Sequence, residues 1–260
     1  MLQAGGAQWA IAGGLALFLA GLPHGAFDDG GRVLLTGRHY IVRYIGFGLA
    51  AGLAFLWQPV AVLAAFLLLS AWHFISEDEA GGTTRRIAVG ALAIGGSALV
   101  RPVETQAIFA ALCGTAIPAP FMIALAAAGV AGYITAAAAL LRQPRDPALW
   151  LIVASPALCH PVLATGLIFW FGHAGPLTMK LAQKRKWTAG KWAVPAGSAI
   201  GATWLITTVL PVTSTLLPWY AAGAVALIVP HLLPLRWLSP AVGRRAAAPQ
   251  SNQAATSPAT

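Results

Sequence analysis

The sequence predicts an all-α fold, a polytopic transmembrane helical bundle of about eight or nine spans. Three observations carry that expectation. The 260 residues are 58% hydrophobic but only 9% charged, with a mean hydropathy of +0.74, whereas a soluble domain carries about 25% charged residues. Apolar runs close to the roughly 20 residues needed to cross a bilayer recur along most of the chain. Alternating segments of about 10 residues, the mark of a membrane β-barrel, do not occur in the sequence.

The first apolar run, about residues 8–27, is read as a retained span rather than a signal peptide. No Lys or Arg precedes it, and its most polar residues stand where a cleavage site would lie. It ends in Gly21-Leu22-Pro23-His24-Gly25-Ala26-Phe27-Asp28-Asp29. A polar loop with Arg32, Arg38, His39 and Arg43 leads into a second span over about 43–57. That span carries Gly48-x-x-x-Gly52, a small-residue face that permits close helix approach. Gln58-Pro59 turns the chain into a third span over about 59–77, which ends in Ala71-Trp72-His73-Phe74-Ile75-Ser76-Glu77-Asp78-Glu79. Residues 79–86 read as loop, and a fourth span follows over about 87–101.

The segment 104–117 is apolar but only about 14 residues long, enough for a thin crossing or a re-entrant piece. Pro118 and Pro120 punctuate it. Another span covers about 120–141, closed by Arg142-Gln143-Pro144-Arg145-Asp146-Pro147. The long run over about 148–174 is interrupted at Ser155-Pro156 and His160-Pro161. Proline removes a helix hydrogen bond there, which a membrane tolerates only in a protein interior. A basic loop over 180–191 and two spans, about 192–210 and 217–235, complete the bundle. Residues 1–240 thus form a single integral-membrane helical domain. Residues 241–260, rich in Ala, Pro, Ser, Thr and Gln, form a disordered C-terminal tail.

The net charge of +9 comes from loop cations that follow the positive-inside rule, not from a nucleic-acid surface. With nine crossings and an external N-terminus, only Arg101, Arg142 and Arg145 of the 16 Lys and Arg residues lie outside. Eight crossings plus a re-entrant piece is the alternative. The expected location is the cell inner (plasma) membrane, multi-pass, with the N-terminus outside and the C-terminus cytoplasmic. Cys113 and Cys159 lack CxxC spacing and read as buried free thiols.

The acidic residues single out two places. Of only seven, five (Asp28, Asp29, Glu77, Asp78 and Glu79) follow His24 or His73 closely. Ionisable groups within a membrane are costly and usually mark a site. His24, His73, His173 and His231 fall near the internal ends of spans that run the same way, so they share a similar depth. Several imidazoles at one depth can converge on a metal, and imidazole suits iron, copper or zinc. His24 with Asp28 and His73 with Glu77 are i, i+4 pairs on one helix face. A carboxylate so placed accepts the other ring N–H and fixes the tautomer of a metal-bound histidine. His160 is the alternative ligand. It lies about 20 Å from His173 along a straight helix, unless the break at Pro161 shortens that path. The plainer reading, interfacial histidines that merely end hydrophobic spans, holds for His39. Trp57, Trp72, Trp170, Trp204, Trp219, Tyr220 and Trp237 sit at span ends and read as an interfacial belt.

Four blocks carry a resemblance: Pro23-His24-Gly25-Ala26-Phe27-Asp28; His73-Phe74-x-x-x-Asp78; His160-Pro161-Val162-Leu163 with Phe169-Trp170-Phe171-Gly172-His173; and Pro230-His231-Leu232. In order and spacing, over about residues 20–237, the chain resembles the Brp/Blh family of integral-membrane β-carotene 15,15′-dioxygenases. The resemblance implies an Fe(2+) held by histidines. It further implies O2-dependent cleavage of the central double bond of β-carotene, or a related carotenoid, to retinal. A lipophilic carotenoid substrate taken from the bilayer and a functional link to a rhodopsin follow from it. Carried onto this chain, it makes His24, His73 and His173 metal ligands, and Asp28, Glu77 and Asp78, the acids beside two of them, are read as the carboxylates that support those histidines. The third block departs from the family pattern, which reads roughly His-Ser-x-x-His. Here it is His173-Ala174-Gly175-Pro176-Leu177, so Leu177 stands where a second histidine is expected. His231 or His160 would then supply the fourth imidazole. No catalytic residue beyond the metal centre is expected, since O2 insertion requires no nucleophile or general base. Two other functions stand beside this one. The Leu177 departure keeps open a non-catalytic carotenoid- or retinal-binding accessory homologue. A transporter with an intramembrane His/Asp relay would want internal repeats and mid-span acids, and the sequence offers neither.

Overall fold

The structure is a computed structural model and describes residues 8–21, 38–77, 82–184, 186, 188 and 215–233. Every regular element among the described residues is helical. In chain order these are α1 (Gln8–Gly21), α2 (Arg38–Trp57), α3 (Pro59–Glu77), α4 (Gly82–Val100), α5 (Pro102–Cys113), α6 (Ala119–Arg142), α7 (Pro147–Leu158), α8 (Pro161–Phe169), a π-helical turn (Trp170–Ala174), α9 (Gly175–Lys184) and α10 (Leu217–Leu232). Pro59, Pro102, Pro147 and Pro161 open their helices, where the missing N–H would have had no intrahelical partner anyway.

Small residues hold the bundle together. Gly95 of α4 and Gly129 of α6 each lie directly against the other's backbone, and a Cβ on Gly132 would stand 2.9 Å from the Leu92 nitrogen. The Gly48-x-x-x-Gly52 face of α2 meets α10. Gly48 abuts the Ala226 carbonyl, and a Cβ on Gly52 would stand 3.1 Å from that of Ala222. Apolar packing fills the remainder: Phe55, Leu63, Met122, Leu125 and Val225 around α5, and Val89, Leu92, Leu149, Ile152 and Ile168 around α7. Of the aromatic residues at expected span ends, Trp57, Trp72 and Trp219 are exposed and Trp170 and Tyr220 half-buried; Trp204 and Trp237 lie outside the described residues. Cys113 and Cys159 are both free thiols.

Four stretches are long and apolar enough to cross a bilayer: Tyr40–Trp57, Pro59–Ser76, Ala119–Arg142 and Pro161–Lys184. The pair α4 and α5, bent by 110° at the break between them, adds a fifth. α1, α7 and α10 are apolar but shorter. The expected span over about 192–210 and the expected tail over 241–260 lie outside the described residues.

Two expectations about the path of the chain change. Arg85 Nε donates to Asp146 Oδ2 at 2.9 Å, and Arg142 donates to the Thr84 hydroxyl at 3.3 Å. The start of α4 and the α6–α7 connection therefore share one end of the bundle, and Arg142 and Arg145 do not lie opposite Arg85. The segment 104–117 makes no traverse of its own. Pro102 turns it aside, and Gly114 stops α5 in the left-handed conformation at φ 63° before packing on Pro218. The run expected as one span over about 148–174 divides at Cys159-His160 into α7 and a helix that continues to Lys184. Arg101, at the far end of α4, donates to the Ala157 carbonyl at 3.1 Å, so α7 returns the chain to that far end.

Candidate metal centre

Three histidines from three helices meet. His73, in the last two turns of α3, is 1% exposed, and His173 is fully buried at 0%. The ring centre of His73 lies 5.0 Å from that of His173 and 5.1 Å from that of His231, each pair edge-on at 66° and 70°. Burying two imidazoles this deeply in an apolar bundle is costly unless their ring nitrogens are used.

Two of the three histidines are delivered by a local irregularity. His173 lies inside the π-helical turn, a form that often marks functional sites. The turn closes through the Gly175 N–H, which donates to the Trp170 carbonyl five residues back. A Cβ at position 175 would stand 2.7 Å from that same carbonyl oxygen, so glycine is what lets the turn widen. Gly172 lies against Val89, which brings this turn hard onto α4. His231 follows Pro230, a proline inside α10. His73 sits on an uninterrupted helix, and its carbonyl accepts from the Ser76 hydroxyl at 3.2 Å.

An aromatic shell covers one side of the group. The Phe74 ring lies 4.6 Å from His173 at 34°, and Phe169 lies 6.1 Å from His173 and 5.9 Å from Phe74. Phe18 of α1 stacks on Phe169 at 5.3 Å. Gly21, the last residue of α1, abuts the Phe169 ring and would place a Cβ 3.0 Å from that of Ala174. The end of α1 is thus fixed beside the residue that follows His173.

The other expected site residues fall as follows. His24, Asp28 and Asp78 lie outside the described residues, as does the side chain of Glu77. His160 caps α8: its Nδ1 accepts from the Val162 N–H at 3.3 Å. It stands about 20 Å of helix rise before His173, because the break falls ahead of it rather than between the two. Leu177 is half-buried, one turn past His173. His173 does not end its span, as expected from sequence, but lies midway along Pro161–Lys184.

Two imidazoles bound to one metal at about 2.0–2.1 Å place their ring centres about 4.5–5.2 Å apart for coordination angles near 90–110°. The spacings of 5.0 and 5.1 Å suit that arrangement. Among the described residues, however, no three His, Cys, Asp or Glu side chains are already grouped as a metal site. The spacing weighs more here, because helix positions set where the rings lie, whereas the last imidazole torsion is broad and adjusts. The His73–His173 and His73–His231 spacings thus make these residues candidate ligands for a metal that imidazole favours.

Near the same end, Arg85 and Asp146 form an ion pair with side chains 7% and 15% exposed. Burial pushes the Asp146 carboxyl up. The Leu149 and Ala148 N–H groups and the Arg85 guanidinium outweigh it and hold the group below the usual carboxylate value. This pair is structural: it ties α4 to the cap of α7.

Sequence reasoning missed the π-helical turn and the aromatic shell. The signal for the turn was present in Gly172 and Gly175 flanking His173, and for the shell in Phe74 and Phe169, each within four residues of a candidate histidine. No curated protein and no solved structure matches the chain. The family model described as beta-carotene 15,15'-dioxygenase matches residues 15–239, nearly all of the helical domain, and the chain belongs to that family.

Proposed function

We propose that this chain is an iron-dependent oxygenase that cleaves the central double bond of β-carotene, or of a related carotenoid, with O2 to give retinal. The observation that carries the reading is the meeting of His73, His173 and His231 in a member of this dioxygenase family. These three would hold Fe(2+), with His24 as the fourth imidazole. His24 is three residues past Gly21, which abuts Phe169 and Ala174, and three residues reach at most about 11 Å.

Iron, when bound, supplies the activation of O2 toward the polyene. The remaining work belongs to the chain. The imidazoles would serve as neutral donors, a role in which Asp28, Glu77 and Asp78 would accept their other ring N–H groups. Phe74 and Phe169 keep water from one face of His173. The exposed apolar surfaces of α2, α3 and α6 face lipid and let a wholly apolar C40 substrate approach from the bilayer.

The end carrying Arg85, Arg86, Arg142 and Arg145 faces the cytoplasm of the inner membrane. With one further span over about 192–210, nine crossings result, the N-terminus is outside and the C-terminus inside. Arg101 is then the sole external cation, a stronger bias than the sequence alone suggested. The retinal formed would supply a rhodopsin.

A second reading, a non-catalytic carotenoid-binding homologue, is favoured by Leu177, which stands where the family pattern has a second histidine. One experiment separates the two. The protein is expressed in β-carotene-producing cells, retinal is assayed by chromatography, and iron is measured on the anaerobically purified chain. Retinal with about one iron per chain supports the oxygenase. Bound carotenoid with neither iron nor aldehyde supports the second reading.

A further inference from the structure

Proline within a helix has no N–H to give and crowds the carbonyl four residues back. In α10 that proline is Pro230, so the Ala226 carbonyl loses its helical donor one turn beneath His231. Gly48 of α2 lies directly against the Ala226 carbonyl, and a Cβ there would stand 3.4 Å from Pro230 Cγ. One turn earlier on the same face of α2, the Tyr44 hydroxyl donates to the Leu227 carbonyl at 2.9 Å. Leu227 is the residue whose carbonyl a regular helix would pair with the His231 N–H. The helix then ends: the Leu233 N–H turns back to the Pro230 carbonyl at 3.3 Å. The turn before His231 thus lacks one helical bond, at the Ala226 carbonyl, and α2 meets it at two successive carbonyls, through Gly48 and Tyr44.

We infer that Tyr44 is a positioning residue for the His231 imidazole: with Gly48, it braces the helix turn at Pro230 and so sets the 5.1 Å approach of His231 to His73. The inference rests on the reading of His231 as a metal ligand.

Anaerobic titration of the detergent-solubilised full chain with Co(2+) alone, followed by visible absorption and thermal unfolding, tests it. Tyr44→Phe removes one hydroxyl and is expected to weaken Co(2+) binding about two- to tenfold and to alter the ligand-field bands. Pro230→Ala restores a helical donor. It is expected to raise the unfolding temperature while also weakening Co(2+) binding, a split that a merely structural role would not give. His231→Ala is the reference for complete loss of that ligand. If Tyr44→Phe and Pro230→Ala bind Co(2+) with unchanged affinity and spectrum while His231→Ala does not, the brace is refuted and the metal reading stands. If His231→Ala also binds as the parent does, His231 is no ligand and both fall.

Discussion

The seam between α4 and α6 and the seam that gathers the histidines are built on opposite plans. α4 and α6 run 19 and 24 residues without a break and touch glycine to glycine at Gly95 and Gly129. Around the histidines, only α3 is regular. Its partners are a π-helical turn, a helix end with a proline inside it and the last residue of α1. In a bilayer the hydrophobic effect does not press helices together, so close small-residue packing must supply the frame. Once the frame is rigid, neighbouring turns can depart from ideal helix and carry buried polar groups. Regularity holds this molecule up, and irregularity aims its imidazoles.

Substitutions on the two seams should therefore fail differently. The largest expected effect is at the frame. Gly129→Val would place a Cβ 2.5 Å from the Gly95 carbonyl oxygen and 2.9 Å from Leu99 Cβ. Backbone cannot yield there, so a loss of about 3 kcal/mol or more is expected, read as collapse of folded yield and unfolding temperature in detergent. A variant that unfolds at the parent temperature would show that the seam is not tight.

His73→Ala should do the reverse. The bundle remains folded, but iron content and retinal formation fall at least about 100-fold. Iron retained at the parent level would remove His73 from the centre.

A smaller effect tests the tie between the frame and the connection beyond it. Asp146→Asn removes a charge beside Arg85 but leaves an amide able to cap α7, so a loss of about 2 kcal/mol is expected. Because the folded carboxyl is held below its ordinary value, its contribution is complete above the unfolded value of about 3.9. It is lost as pH falls through the lower folded value. The parent's unfolding temperature should accordingly drop on the acid side, and Asp146→Asn should flatten that drop. Equal acid slopes in both proteins would show that the pair is not linked to stability.

The sequence made the helical membrane character legible, because composition alone is decisive at 9% charge. The Gly48-x-x-x-Gly52 face was legible too, and it meets α10. The approach of His231 to His73 could be anticipated from depth, since spans running the same way bring equivalent ends together, whereas His173 joins them from mid-helix. What could not be read was direction at breaks. A proline pair such as His160-Pro161 is compatible with a kink or a full reversal, and only the packing of α7 on α8 decides. The short segment 104–117 posed the same ambiguity, and its bend of 110° against α4 put Arg142 on the side opposite to the one expected. A π-helical turn also leaves hydropathy unchanged, so His173 was taken for a span end when it lies mid-helix.

The smallest effect expected concerns His160, where the two plans meet in one residue. Its ring nitrogen accepts from the Val162 N–H at 3.3 Å, an ordinary helix cap. The continuous helix Pro161–Lys184 then keeps it about 20 Å from His173. His160→Ala should cost no more than about 1 kcal/mol, the worth of a cap, while His160→Asn should recover most of it because Asn caps well. Iron content should match the parent in both. If His160→Ala instead lost iron while unfolding at the parent temperature, His160 would be a ligand rather than a cap. The helix would then have to break at its π-helical turn to bring the two histidines together, and the division between a rigid frame and an aimed site would fail at the residue that joins them.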